Sequence, residues 1–536
     1  MGRVGKFFGN PGKRPDLHHQ APLFSKGTDG DAASLCSVET AAVVGVPEKK
    51  DAADAVVDTT SLSDTSTAIE LADVNLQRDG CIDVSIGFTG LHKTWFDKSL
   101  DWLVYWAGSQ IVFIAMWAVL VCWVVVGAVY GAPFNWQVVM QDGQSIQCYV
   151  WDTLLMRQQL MSTHEQIMVC SQLRSRLASF KYFLLKDPQV GGSTLQHKGA
   201  SADDEHSAGD LPIENWYDRV SSCASAVLGS VPAMVVYWIG IFVWIGCGAL
   251  PQGGQKFADD WQMEINTAVA VSLLINSTFL QNIRARHDKF IAKCMLQIMD
   301  LDYNIDSCLR DHYPCERNRA NKVITVHERK RTWGWKVIDW YADVIGTGIG
   351  VIIAIIAFGV WIGIGTPLHW DDNWWLIIGT YTGLVGFLDG FVIREVYYRI
   401  VQHEEENFAK LADEDLELFQ QIGLECPEQY RETPKHKRTL NYRISSFVNR
   451  ACSNQWSVLV SVLIIIALIC IASGMKWSTT GQLIANTPTM IIEEFFLIVL
   501  LQAHNWADMQ RRIELSSLLG RRRILLDYVS SRYTKN

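Results

Sequence analysis

The stretch YVWDTLLMRQQLMSTHEQIMVC, residues 149–170, decides the fold. Hydropathy alone leaves it ambiguous, because Asp152, Arg157, Gln158, Gln159, His164 and Glu165 interrupt an apolar run of membrane-crossing length. Seven stronger stretches accompany it, near residues 103–131, 227–250, 264–283, 344–365, 374–397, 456–475 and 489–505. If 149–170 also crosses, the short connections 132–148 and 366–373 hold no Lys or Arg, and 251–262 and 476–488 hold only Lys256 and Lys476. Arg174, Arg176 and Lys181, then Arg284, Arg286, Lys289 and Lys293, then Arg394 and Arg399, and last Arg511, Arg512 and Arg521 to Arg523 all fall on the other side. Cytosolic connections carry the excess of Lys and Arg. Eight crossings obey that rule at every loop, and seven break it. The expected fold is therefore all-α, a polytopic membrane protein of eight transmembrane helices with both termini cytosolic.

The crossings form pairs. Trp95-Phe96-Asp97, Trp216-Tyr217-Asp218, Val337-Ile338-Asp339 and Phe447-Val448-Asn449 each precede an apolar stretch, a Trp/Gly-rich exit and a second, more polar helix. Their spacings are 121, 121 and 110 residues, counted between Asp97, Asp218, Asp339 and Asn449. Such periodicity marks repeated two-helix units. The expected organisation is a cytosolic, largely disordered tail over 1–92, then hairpin repeats at 93–186, 213–300, 334–425 and 443–536. Cytosolic linkers at 187–212, 301–333 and 426–442 join them. An even number of crossings per unit makes the four repeats parallel, which can enclose a central path. A two-plus-two arrangement or a carrier fits the same periodicity.

Of 536 residues 49% are apolar and 19% charged, with 21 Trp and a net charge of −9. The acidic balance offers no basic face for nucleic acid and excludes it as a partner. Thirteen cysteines lie without a CxxC pair, so no disulfide framework is expected. Cys308, His312 and Cys315 lack the fourth ligand of a structural metal site and read as loop residues. Gly346, Gly348 and Gly350, like Gly379 and Gly383, sit within spans with no preceding strand, so they read as helix-packing positions. No GxxxxGK[ST] motif occurs, which argues against ATP-driven pumping. No cofactor is expected. The bilayer is the expected partner, and a homo-oligomer is left open.

Chemistry points to the second helices. Glu493 and Glu494 lie roughly 9 Å beyond Thr487, and Asp389 roughly 20 Å beyond Trp375, at ~1.5 Å per residue. An ionised carboxylate at the bilayer centre costs ~2.5 to 3.5 kcal/mol, so either a proton or a passing cation must compensate. Met161, His164 and Met168 share a helix face; beside Glu165, and with His504 expected at similar depth, they suggest imidazole and carboxylate ligands for a transition metal. Asp152, His164, Glu165, Asp389, Glu493, Glu494 and His504 are the candidate metal ligands. Asp142, Asp259, Asp260, Glu264, His369, Asp371 and Asp372 are read as an outer cation funnel. His403 with Glu404, Glu405 and Glu406 forms a charged inner face that can receive an exiting ion.

Longer runs carry a resemblance: APFNWQVVMQDGQSIQ from Ala132, WDTLLMRQQLMSTHEQI from Trp151, DDNWWLIIGTYTGL from Asp371, TTGQLIANTPTMIIEEFF from Thr479, LLQAHNWAD from Leu500 and FFGNPGKRPDLHH from Phe7. In these the chain resembles the fungal low-affinity iron transporter family. The resemblance implies ferrous iron uptake across the plasma membrane, with copper and zinc as poorer or parallel substrates. It assigns no ligand residue by residue. The rival class is a metal-dependent polytopic membrane enzyme using the same acids and histidines. It requires an open coordination position beside a substrate cleft, and the nearest candidate, His403 to Glu406, has no second clustered histidine.

Overall fold

The computed structural model describes residues 16–23, 75–76, 82–83, 99, 102–103, 106–131, 133–187, 211–250, 256–346, 348–431 and 440–533. Expectations for the rest of the tail, most of the 187–212 linker and residues 432–439 lie outside the described residues. In chain order the main helices are α1 (Gln110–Tyr130), α2 (Phe134–Lys186), α3 (Trp216–Leu228), α4 (Val231–Gly248), α5 (Asp259–His312), α6 (Trp333–Ile345), α7 (Gly348–Gly365), α8 (Asp372–Ile422), α9 (Leu440–Cys452), α10 (Gln455–Gly474), α11 (Thr479–Ala503) and α12 (Met509–Tyr533). Four short strands, β1 (Leu17–His19), β2 (Asn75–Leu76), β3 (Ile82–Asp83) and β4 (Ile324–Val326), pair antiparallel as β1 with β4 and β2 with β3.

Two kinds of helix alternate. α1, α4, α7 and α10 are 18 to 21 residues of Val, Ile, Leu, Ala, Gly and Trp. Their outward side chains, among them Val119, Ile239, Ile355 and Ile466, are exposed. A soluble protein rarely shows so much contiguous apolar surface, whereas lipid accepts it. The following helices are 51 to 54 residues long, and in the last pair α11 continues through a π-helical turn at His504–Asp508 into α12. At ~1.5 Å per residue such helices extend for roughly 75 Å, more than twice the ~30 Å hydrocarbon core. Six helices are long and apolar enough to cross a membrane among the described residues, and a seventh counts if α6 and α7, bent by 67° at their junction, are taken together. The chain is thus an all-α membrane protein.

The expected connection at 132–148 is a helix: α2 begins at Phe134, capped by Pro133. The absence of Lys and Arg makes it read as an outer loop; in the helix, Gln141, Asp142 and Gln144 are accommodated by burial. Three tryptophan stacks close the turns between short and long helices, with ring centroids 3.8 Å apart for Trp123 and Trp136, 3.7 Å for Trp244 and Trp261, and 4.4 Å for Trp361 and Trp374. In the first, each indole N–H donates to the other residue's carbonyl, at 3.0 and 2.7 Å. Gly127 and Gly248 leave room for this; a Cβ there would meet the Trp136 and Trp261 rings at 2.3 and 2.4 Å.

The four long helices run parallel. Val138, Met263, Leu376 and Leu483, near their starts, pack in one cluster. Far along, Leu173, Phe180, Ile298, Leu309, Leu411, Leu418, Leu515 and Leu525 pack in another. Beyond the bilayer they form a four-helix stalk whose interior also holds ions. Asp415 accepts hydrogen bonds from Arg521 at 2.6 Å and from Arg522, which also lies 2.8 Å from Asp302. Burial pushes the Asp302 carboxyl up to about 6, against the pull of Arg522 and Arg176. Residues 16–22 are stitched to this stalk. Leu17 packs on Ile167 and Val326, the Ser175 hydroxyl accepts from the Ala21 N–H, and Asn321 donates to the Ala21 carbonyl.

Candidate functional site

Counting from the N-caps Pro133, Ala258, Asp371 and Ser478 puts the four long helices in a common register. A cavity of about 50 Å³ lies between them. Its walls include positions 15, 19 and 22 of every helix: Cys148, Asp152 and Leu155; Leu273, Ser277 and Leu280; Gly386, Gly390 and Ile393; Glu493, Leu497 and Leu500. Equivalent turns of four parallel helices therefore face one axis. Side-chain period, not chance, puts them there, since positions 15, 19 and 22 fall on one helix face.

Two carboxylates enter this chamber. Glu493 lies over the bare backbone of α8, where a Cβ on Gly386 would meet its Oε2 at 3.0 Å. The Cys148 thiol lines the same cavity and accepts from the Gln144 amide at 2.8 Å. Asp152 sits one turn inward, within electrostatic range of both Glu493 and Asp389. The floor is apolar: Leu155, Leu280, Ile393 and Leu500 belong to one buried cluster.

The remaining sequence-predicted residues go elsewhere. Glu494 is buried against α5, its Oε1 accepting from Ser272 and Asn276 at 2.7 Å each. Asp389 turns toward α6 and accepts from the Tyr341 hydroxyl at 2.6 Å. His164 and Glu165 are half-buried on α2, 12 and 13 residues past Asp152, hence roughly 18 Å inward along the helix axis. His504 lies below the apolar floor, its Nδ1 3.1 Å from Asp508 and 3.3 Å from Arg284. Among the described residues no three His, Cys, Asp or Glu side chains come close enough to hold a resident metal.

Sequence reading missed two features. Below the floor a second cavity of about 30 Å³ is lined by Arg284, His287, Asp288, Tyr397, Glu404, Asp508 and Arg511, among others. Four of these, Arg284, Asp288, Tyr397 and Asp508, sit at positions 26 and 30 of their helices, a register legible once the helices are aligned. Arg394, counted as a cytosolic positive charge, lines the acidic chamber instead. Its hydrogen bonds go elsewhere than the acids: it donates to the Phe496 carbonyl at 3.1 Å and to Asn449 at 3.3 Å.

The outer acids are also partly accounted for. Asp371 caps α8 by accepting from the Trp374 N–H at 2.8 Å, and Asp259 accepts from Thr480 at 2.9 Å. Asp142 was read as a loop charge but lies buried on α2. Gly379 and Gly383, read as helix-packing positions, make room for polar side chains: a Cβ would meet Asp142 Oδ1 at 3.1 Å and Asn486 Oδ1 at 2.4 Å, respectively.

A bundle with inward carboxylates suits ion passage, and comparison with known proteins agrees. Over 558 aligned residues, covering 99% of both chains, the sequence is 57% identical to the low-affinity Fe(2+) transport protein of Saccharomyces cerevisiae. The chain belongs to the low-affinity iron permease family. The family's own sequence model matches residues 441–528, which span α9 to α12 and include Glu493, Glu494 and His504. A low-affinity iron/zinc ion transport protein of Schizosaccharomyces pombe is 45% identical over 436 residues, 80% of this chain and 72% of the relative. No solved structure matches. Family membership makes this chain a permease and not an enzyme, so the hydrolase or oxidoreductase alternative falls away.

Proposed function

We propose that the chain carries ferrous iron into the cell across the plasma membrane along the axis between its four long helices, with zinc and copper as accompanying substrates. The observation that supports this most is the chamber lined by the same three positions of all four helices, holding Glu493 and Asp152. Carboxylate, thiol and amide oxygen donors suit a borderline dication, and the Irving–Williams order keeps such a site from rejecting copper or zinc by affinity. The topology that goes with it is eight crossings in four parallel hairpins, both termini cytosolic. α2 fails on hydropathy, yet it packs along α5 and α8, which pass. Its Asp152 faces the chamber and away from lipid.

Iron would pass from the outer acids to Glu493 and Asp152, then inward past His504, with Glu494, Asp389, His164 and Glu165 tuning the surrounding field. Moving a dication inward releases ~4.6 kcal/mol per 100 mV of inside-negative potential, enough to concentrate it without ATP; a proton gradient acting on the same acids is a second source. Full-length protein in liposomes, given an inside-negative diffusion potential and no ATP, should accumulate radiolabelled Fe(II). Accumulation that ignores both the imposed potential and a pH gradient would sink this reading.

The apolar floor then acts as the gate. Four buried aliphatic side chains across a narrow path exclude water, and water exclusion stops ions. Leu280→Asn should wet the constriction and raise the uptake rate about tenfold, with weaker saturation by external iron. The measurement is initial rate against Fe(II) concentration in the same liposomes.

A further inference from the structure

Above the chamber, the position eight residues after each N-cap forms a level of amides: Gln141, Asn266 and Asn486, with Gly379 in the fourth helix. All three amides are buried, at 2%, 0% and 2% exposure. Asn266 has no hydrogen-bond partner for either amide atom, and the side-chain oxygens of Gln141 and Asn486 have none. Asp142, 5% exposed, joins this level with its Oδ2 likewise unpartnered. Leaving a buried acceptor unsatisfied costs ~1 to 3 kcal/mol, more when it is charged, so four such oxygens at one height call for a ligand.

The α8 backbone brings two of them together. A Cβ on Gly379 would stand 3.1 Å from Asp142 Oδ1 and 3.9 Å from Asn486 Nδ2, and one on Gly383 would stand 2.4 Å from Asn486 Oδ1. Asp142 from α2 and Asn486 from α11 thus lie on the same bare strip of α8. Rotating the Asn486 amide about its last bond turns its oxygen toward Asp142. The nearest bonded neighbours do not compete: Gln141 donates its own N–H to Thr267 at 3.1 Å, and Asn486 Nδ2 meets the Met490 sulfur at 3.3 Å.

We propose that Asp142 and Asn486 form an outer binding site for a partly hydrated divalent cation, seated against Gly379 and Gly383. It rests on the reading of the axis as the ion path and adds a station to it. The site lies seven residues, roughly 10 Å, outside Glu493. One carboxylate and one amide leave most of the coordination sphere to water, so the site binds weakly and releases inward. Its single charge sets the external concentration at which uptake half-saturates, while Glu493 and Asp152 set the maximal rate.

The test uses full-length protein in liposomes and Fe(II) kept reduced with ascorbate. Asp142→Asn should raise the half-saturating Fe(II) concentration about tenfold, because ligand charge tunes affinity for hard cations. Its maximal rate should stay within about twofold, Asn486→Ala should act in the same direction, and Asp142→Glu should restore much of the affinity. Glu493→Gln should instead depress the maximal rate. A second readout needs no transport. Mn(II) bound to detergent-purified Glu493→Gln protein should remain visible by electron paramagnetic resonance and vanish in Glu493→Gln/Asp142→Asn. Unchanged half-saturation in Asp142→Asn and Asn486→Ala, beside a crippled Glu493→Gln, overturns the outer site and spares the path. Loss of neither affinity nor rate in any variant removes the path as well. Should Asp142→Asn not fold, Gly383→Ala drives a methyl into Asn486, and wild-type half-saturation there counts against the site.

Discussion

Glu493→Gln is expected to cut iron uptake about a hundredfold at equal surface expression. The chamber offers a dication two carboxylates, from Glu493 and Asp152, and the guanidinium that lines it among the described residues, Arg394, hydrogen-bonds to the Phe496 carbonyl and Asn449 and not to either acid. Removing one charge from a membrane-embedded pair withdraws an interaction comparable to the ~2.5 to 3.5 kcal/mol that insertion of such a charge costs, and 1.4 kcal/mol is a tenfold change. Asp152→Asn should match it. Glu494→Gln should cost only a few-fold, because Glu494 already accepts from Ser272 and Asn276 and turns toward α5. Radiolabelled uptake in cells checks all three, and the ordering is the sharp part. Equal loss in Glu493→Gln and Glu494→Gln would mean that the adjacent acids act as one unit. Wild-type uptake in Glu493→Gln would remove the chamber from the path.

That ordering could not have been read from sequence. Hydropathy and loop charge reached the helical membrane class, because apolar runs and Lys/Arg asymmetry are properties of local segments. They could also flag Asp152, Asp389, Glu493 and Glu494 as polar groups where lipid should be. What they lacked was rotation. Glu493 and Glu494 are adjacent, so they point about 100° apart on a helix, and only the packing of α11 shows that one faces the axis and the other α5. Asp142 was misread for a related reason. It is the ninth residue of α2, in a polar opening stretch of about two and a half turns that looks like a loop until α2 is seen to start at Phe134. His164, Glu165 and His504 could not be sorted from the chamber acids by sequence, because a hydropathy window carries no marker of depth along helices that outrun the bilayer. The recurrent offset of 15, 19 and 22 from each cap was present in the sequence all along, but it becomes a pattern only when the caps are known.

Asp415→Ala should destabilise the protein by about 3 to 5 kcal/mol, the cost of stranding a buried cation. Asp415 and Arg522 are fully buried, and Arg521 nearly so. With Asp415 gone, Arg521 and Arg522 both lose a hydrogen-bonded carboxylate, and Arg522 keeps Asp302, which lies 2.8 Å away without hydrogen-bond alignment; with Asp302 gone, Asp415 still bridges both guanidiniums. Asp302→Asn should accordingly cost much less, and Arg522→Leu combined with Asp415→Ala should cost less than the sum of the two single changes, because each removes the other's partner, although Arg521 and Asp302 still lose theirs. Thermal unfolding of detergent-purified variants, followed by helical circular dichroism, measures the cycle. Additive losses in the double variant would mean that the pair is not coupled. The functional consequence follows from geometry. Asp415 is on α8, Asp302 on α5, and Arg521 and Arg522 on α12, so this one knot holds three of the four long helices in axial register below the membrane. The apolar floor and the acidic chamber exist only because equivalent turns of those helices face each other. Loosening the stalk should therefore raise leak through Leu155, Leu280, Ile393 and Leu500 at temperatures well below those at which the transmembrane part unfolds.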